Sequence, residues 1–117
     1  KLDVEKMNEA GKILLEYTDF SCFSKSNTQT FTNNCRVTRA EFLQKEKGLV
    51  FYISADRFLR NMVRAIVGTM INVGIGKLNV EDLHAIIESK NRSEAGFSVP
   101  AHALYLTEVA YPNNLKI

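Results

Sequence analysis

The stretch from Phe58 to Val73 constrains this chain more than any other. It runs Phe58-Leu59-Arg60-Asn61-Met62-Val63-Arg64 into Ala65-Ile66-Val67-Gly68-Thr69-Met70-Ile71-Asn72-Val73. Set on a helix at about 100° per residue, its apolar side chains sweep roughly two-thirds of the circumference. A helix that apolar is buried on most sides. The narrow strip left over carries Arg57, Arg60, Asn61, Arg64, Gly68 and Asn72. Residues three and four apart stack along one helix face, which predicts that Arg57, Arg60 and Arg64 line a recessed cationic groove. An anion held in that groove is one reading; arginines that merely solvate the exposed stripe are the other. Gly68 sits one turn past Arg64 and leaves room for something to come close. A mid-helix glycine costs about 1 kcal/mol relative to alanine, so it points to a packing or functional reason, close helix–helix contact included.

At 117 residues the chain is long enough for a single domain with a real core and too short for two. With 45% hydrophobic and 24% charged residues it has the make-up of an ordinary soluble globular protein. A net charge of +2 cannot drive nucleic-acid binding by itself, so such binding would depend on how charge is arranged. Arg64 and Asn72 interrupt the apolar run, which argues against a membrane span, and no signal peptide is visible. The chain opens on Lys1-Leu2-Asp3 without a methionine and so reads as processed or as a piece of something longer. Cys22 and Cys35 lack CxxC spacing, and His84 and His102 lie far off, which speaks against a zinc site. Both cysteines read as reduced residues of a cytosolic protein.

Along the chain, Asp3 is placed to cap a helix over Val4 to Tyr17, with Met7, Ala10, Leu14 and Tyr17 on one face. The irregular segment Thr18 to Lys25 carries Phe20 and Phe23 as core anchors, and Ser26 to Asn34 reads as a polar loop. A strand over Cys35 to Gln44, a turn at Lys45 to Gly48 and a strand over Leu49 to Ile53 make a β-hairpin. Ser54 or Asp56 then caps the long helix, which stops at Gly74 or Gly76. Asn79 caps a further helix to Lys90, with Asp82 as its N3 partner and Leu83, Ile86 and Ile87 inward. A loop from Asn91 to Ala103 leads to a last strand, Leu104 to Tyr111, halted by Pro112. The order α-β-β-α-α-β predicts an α+β fold, an antiparallel sheet with helices packed on one face.

No nucleophilic triad is spelled out, and Gly74-Ile75-Gly76-Lys77 follows a helix, so it reads as a helix stop and not as a phosphate loop. Phe51 and Tyr52 belong to a core or an interface, since Lys47 to Ile53 lacks the alternating aromatics of an RNA-stacking strand. Lys25 reads as a loop charge or an RNA contact.

Four segments, in order, resemble one family. Asp19-Phe20-Ser21-Cys22-Phe23 is similar to D-F-[ST]-x-F, and Phe58 to Thr69 to F-L-x-[NH]-M-V-R-x-[IM]-V-G-[TA]. Arg92 to Gly96 is similar to R-x-x-A-G, and Pro100 to Tyr111 to P-A-x-G-L-x-L-x-x-V-x-Y, with Ala103 where the pattern has glycine. These are the motifs of bacterial tRNA pseudouridine synthase A, an anticodon-arm pseudouridine synthase family, and the likeness covers most of the chain from Asp19 onward. The family's catalytic aspartate lies in an N-terminal motif resembling G-R-T-D-x-G-V-H, which is absent here. The resemblance therefore assigns residues 1–117 to a single C-terminal domain, with the domain that carries the nucleophile missing.

The resemblance implies an isomerase, inactive as this piece alone, that converts uridine to pseudouridine in the tRNA anticodon stem-loop without cofactor or metal. It gives Arg64 the role of pairing with the absent aspartate and Leu104 that of packing on the target base. Arg57, Arg60, Asn61 and Lys25 become RNA-binding candidates. The partners implied are tRNA, the chain's own N-terminal domain and a second copy in a homodimer, in the cytoplasm and away from membranes. A non-catalytic RNA-binding or dimerisation module is the alternative.

Overall fold

The computed structural model describes residues 2–24, 33–46, 48–100, 108–110 and 114–116. Helix α1 spans Val4–Leu14, and the Asp3 side chain accepts from the Lys6 N–H, as an N-cap should. The helix is shorter than the expected Val4 to Tyr17: Tyr17 lies beyond it. Its hydroxyl meets His84 Nδ1 at 2.7 Å and donates to Glu88 Oε2 at 2.9 Å, tying the end of α1 to a later helix. Phe20 and Phe23 are both fully buried and stack on each other, so the anchor role holds.

Strands β1 (Val37–Lys45) and β2 (Gly48–Ala55) form the hairpin, with Lys45 opposite Gly48 and a register irregularity between Val37 and Arg39. Ala40, Phe42, Phe51, Ile53 and Ala55 are buried, and the Phe42 and Phe51 rings stack at 4.3 Å. The other face is more open: Tyr52 is half-buried and lies under the Arg39 guanidinium, 4.5 Å from the ring centroid. The outward-facing N–H and C=O of Phe42 are both taken by the Asn8 side chain of α1, at 2.6 and 3.0 Å. An exposed strand edge is a liability, and here a helix residue closes it at that point.

Helix α2 spans Met62–Gly74 and α3 spans Asp82–Ser89. Leu83, Ile86 and Ile87 of α3 point inward as expected. The helix starts later than Asn79, but Asp82 Oδ2 does accept from the Asn79 N–H at 2.8 Å, which is half of the expected capping box. Two short strands end the described chain, β3 (Glu108–Ala110) and β4 (Asn114–Lys116). Of the expected last strand, Leu104 to Tyr111, only residues 108–110 lie within the described residues. Strand β4 follows Pro112, where the sequence pattern halts the last strand. It inserts between β2 and β3, giving an antiparallel sheet in the order β1-β2-β4-β3. The buried residues of the sheet and of the helices form one core, with α1 packed on β1 and α2 packed on α1, so the α+β architecture with helices on one face stands. Among the described residues no helix is long and apolar enough to cross a membrane.

Candidate active-site arginine and its surroundings

The long helix begins at Met62, not at Ser54 or Asp56, and this changes the arginine arrangement. Asp56 is used elsewhere: its Oδ1 accepts from the Arg36 N–H at 2.8 Å, and its own N–H donates to the Arg36 carbonyl. Asn61 precedes the helix in the left-handed region, with φ of 69°. That conformation breaks helical phase, and asparagine tolerates it better than most residues. Leu59 and Met62 are still buried, because the turn folds back and the Met62 N–H donates to the Leu59 carbonyl at 3.0 Å.

Arg57 and Arg60 therefore do not share a helical strip with Arg64. Arg57 is exposed and its Nη1 donates to the Asn34 carbonyl at 3.1 Å. Arg60 is exposed in the turn before the helix. Arg64 is half-buried in the first turn of α2. The groove of three stacked arginines does not form. Lys25 and Leu104 lie outside the described residues.

The rest of the foreseen open stripe on α2 is covered by the chain itself. A Cβ on Gly68 would fall on the Phe97 carbonyl, and one on Gly96 would meet the Thr69 backbone at 2.9 Å. Segment 96–99 thus lies directly on α2, and what comes close at Gly68 is neither an anion nor a second helix. Thr69, fully buried, fastens the contact: its hydroxyl donates to the Ala65 carbonyl at 2.8 Å and accepts the Gly96 N–H at 2.8 Å. Val99 then bonds Arg64 twice, its N–H donating to the Arg64 carbonyl and its carbonyl accepting Arg64 Nε at 2.8 Å. Among the described residues Arg64 has no carboxylate partner and no partner for either Nη.

A second arginine converges on the same segment. Arg92 Nη1 donates to the Gly96 carbonyl at 2.9 Å and Nη2 to Ser98 Oγ at 2.7 Å. Asn61 Nδ2 donates to the same Ser98 oxygen at 2.6 Å. Sequence reasoning missed Thr69, Ser98 and the Val99 carbonyl. The available signal was the pair Gly68 and Gly96, two small residues whose joint meaning is one close backbone crossing.

A family model described as tRNA pseudouridine synthase matches residues 14–112. The chain belongs to the tRNA pseudouridine synthase family. A relative named tRNA pseudouridine synthase A, from Porphyromonas gingivalis, is 58% identical over 117 residues, covering 98% of this chain and 46% of its own length. The protein of that name from Parabacteroides distasonis is 53% identical over 115 residues, with 98% and 46% covered. That from Acetivibrio thermocellus is 43% identical over 111 residues, with 95% and 46% covered. The chain spans about half the length of the curated relatives it matches. Within this tRNA pseudouridine synthase segment the two thiols are free and buried, and burial pushes Cys22 up to about 12 and Cys35 up to about 11. Thiols held that far above neutrality are not nucleophiles at physiological pH.

Proposed function

We propose that this chain is the arginine-bearing, C-terminal half of an isomerase that converts uridine to pseudouridine in the tRNA anticodon stem-loop. The observation that carries the reading is the disposition of Arg64. Its Nε is spent on the Val99 carbonyl, while its Nη groups have no carboxylate partner among the described residues. A guanidinium anchored at one edge offers its remaining edge as a planar fork, the geometry that holds a carboxylate in one orientation. The carboxylate is that of the aspartate nucleophile on the N-terminal half. Arg64 fixes that group for attack, and its charge does not titrate in the working range. Leu104 packs on the target base. Arg57, Arg60 and Lys25 form the RNA-facing set, with the exposed arginines supplying phosphate contacts that position without reading sequence. Asn61, expected beside them, turns its side chain inward: Nδ2 is held by Ser98 and Oδ1 is buried. The whole enzyme is a cytoplasmic homodimer.

The test is tritium release from tRNA carrying 5-tritiated uridine, with the full-length protein that contains this segment. The proposal expects turnover that collapses in Arg64→Gln at unchanged tRNA affinity. Full turnover in Arg64→Gln overturns it, and tight, selective tRNA binding by this chain alone would favour a non-catalytic RNA-binding module.

A further inference from the structure

Arg64 is only as well aimed as the carbonyl that holds it. That carbonyl belongs to Val99, and residue 98 beside it is fixed from two sides. Ser98 Oγ accepts Arg92 Nη2 at 2.7 Å and Asn61 Nδ2 at 2.6 Å. Arg92 also holds the Gly96 carbonyl at 2.9 Å through Nη1. Asn61 adjoins the first residue of α2, so the contacts close into a ring: Asn61 to Ser98, Val99 to Arg64, and Arg64 back along the helix to Asn61.

Arg92 is half-buried and, among the described residues, pairs with no carboxylate. It spends a full positive charge on one carbonyl and one hydroxyl oxygen, both in the segment that carries Val99. Charge-assisted bonds are roughly twice as strong as neutral ones, so the two contacts make a stiff clamp. A side chain that orients the ligand of a reactive group acts on rate through that group, as outer partners of metal ligands do.

We infer that Arg92 is a positioning residue for Arg64, acting through the oxygens of Gly96 and Ser98 to set where the Val99 carbonyl holds the Arg64 guanidinium. This rests on the catalytic reading of Arg64 above. The role assigned to it runs through Arg64, since its Nη1 and Nη2 bonds both go to segment 96–98.

The experiment uses the full-length synthase with Arg92→Gln, Arg92→Lys and Ser98→Ala, each in the native and the Arg64→Lys backgrounds. Single-turnover rate, tRNA affinity and thermal midpoint are read together. In the native background, Arg92→Gln and Ser98→Ala should lower the rate constant about 10- to 100-fold, the scale of a misplaced reacting group, with affinity unchanged. Arg92→Lys should recover only part, because one ammonium cannot span both oxygens. Lysine at position 64 has no Nε–H for Val99, so in that background the Arg92 and Ser98 substitutions should cost nothing further. Additive losses in the two backgrounds overturn the inference. So does a loss confined to affinity, which would make Arg92 a phosphate contact, or a native rate in Ser98→Ala. Should Arg92→Gln fail to fold, Ser98→Ala decides alone, because it removes only the shared oxygen. Arg64→Lys at full rate would bring down the catalytic reading itself. A crippled Arg64→Lys beside fully active Arg92 and Ser98 variants brings down only the positioning role.

Discussion

The backbone of Val99 meets Arg64 twice: its N–H donates to the Arg64 carbonyl at 3.1 Å, and its own carbonyl accepts the Arg64 Nε at 2.8 Å. The first bond pins the segment to α2, and the second turns the side chain. An arginine fastened through Nε has already lost rotamer freedom, so any further partner of its Nη groups would be held at less entropic cost.

Arg64→Lys in the full-length enzyme should keep the fold, because the side chain lies at the half-buried start of α2 and a lysine stem still reaches water. The loss should fall on the rate constant, about 10²-fold or more, as for removal of a preorganised electrostatic contact. Arg57→Lys should cost little, since Arg57 is exposed and a phosphate accepts either cation. Rate constants for the two variants, measured side by side, check this; similar losses would make Arg64 an ordinary surface charge.

Gly68→Ala should destabilise the domain, although alanine is the better helix former. The added methyl would occupy the position of the Phe97 carbonyl, a backbone atom that cannot swing aside. Overpacking of this kind costs typically about 1–3 kcal/mol, more than the roughly 1 kcal/mol that alanine gains in helix propensity. Urea midpoints read the balance, and a stabilised variant would mean that segment 96–99 lifts off α2 freely.

Cys22 and Cys35 should resist a thiol reagent at about pH 8 while the domain is folded and react once urea unfolds it. Burial pushes their folded values up to about 12 and about 11, against about 8.5 for a free thiol. The unfolded chain then loses these protons first as pH rises. Their contribution is complete below about pH 8.5 and declines from there through the folded values, so stability falls on the alkaline side. The urea midpoint should drop between neutral pH and about pH 10, and part of the drop should vanish in the double variant Cys22→Ala/Cys35→Ala. Equal pH dependence of the two proteins would contradict this.

Binding of tRNA by this chain alone should be weak and governed by salt. Arg57 and Arg60 are exposed and can neutralise only about two phosphates, which predicts a log–log salt slope of about two or less in magnitude. Arg60→Gln should lower that slope by about one and weaken all RNAs alike. Titrations at several salt concentrations supply the slope; strong discrimination between RNAs would not fit a phosphate-only surface.

Much of the fold is legible in local signals. Asp3 caps α1 where its position says it should, and the hairpin turns where Lys45 faces Gly48. Asp82 bonds back to Asn79, and Leu83, Ile86 and Ile87 face the core. Each of these depends on neighbours within a few residues, which sequence spacing shows directly. The start of α2 is less legible, because an apolar run packs equally well from a helix or from a turn. Periodicity places Phe58 and Leu59 in the helix, yet Leu59 is buried from a turn that ends in left-handed Asn61.

Strand β4 and the site geometry lay beyond local signals for a different reason. A strand's place in a sheet is set by its pairing partners, and β4 sits between β2 and β3 through backbone bonds that leave no pattern in side-chain spacing. The sequence alone carried the identity of Arg64, the buried character of its helix and the family motifs around it. It could not show that Arg57 and Arg60 leave the helical strip, nor that Val99 holds Arg64 while Asn61 and Arg92 hold the neighbouring Ser98. The contacts of Val99 with Arg64 and of Ser98 with Asn61 join residues 35 and 37 positions apart through carbonyl and hydroxyl oxygens, and Arg92 then grips the same segment locally. Every residue brings a carbonyl, so only the folded path of segment 96–99 across Gly68 selects which one holds the arginine.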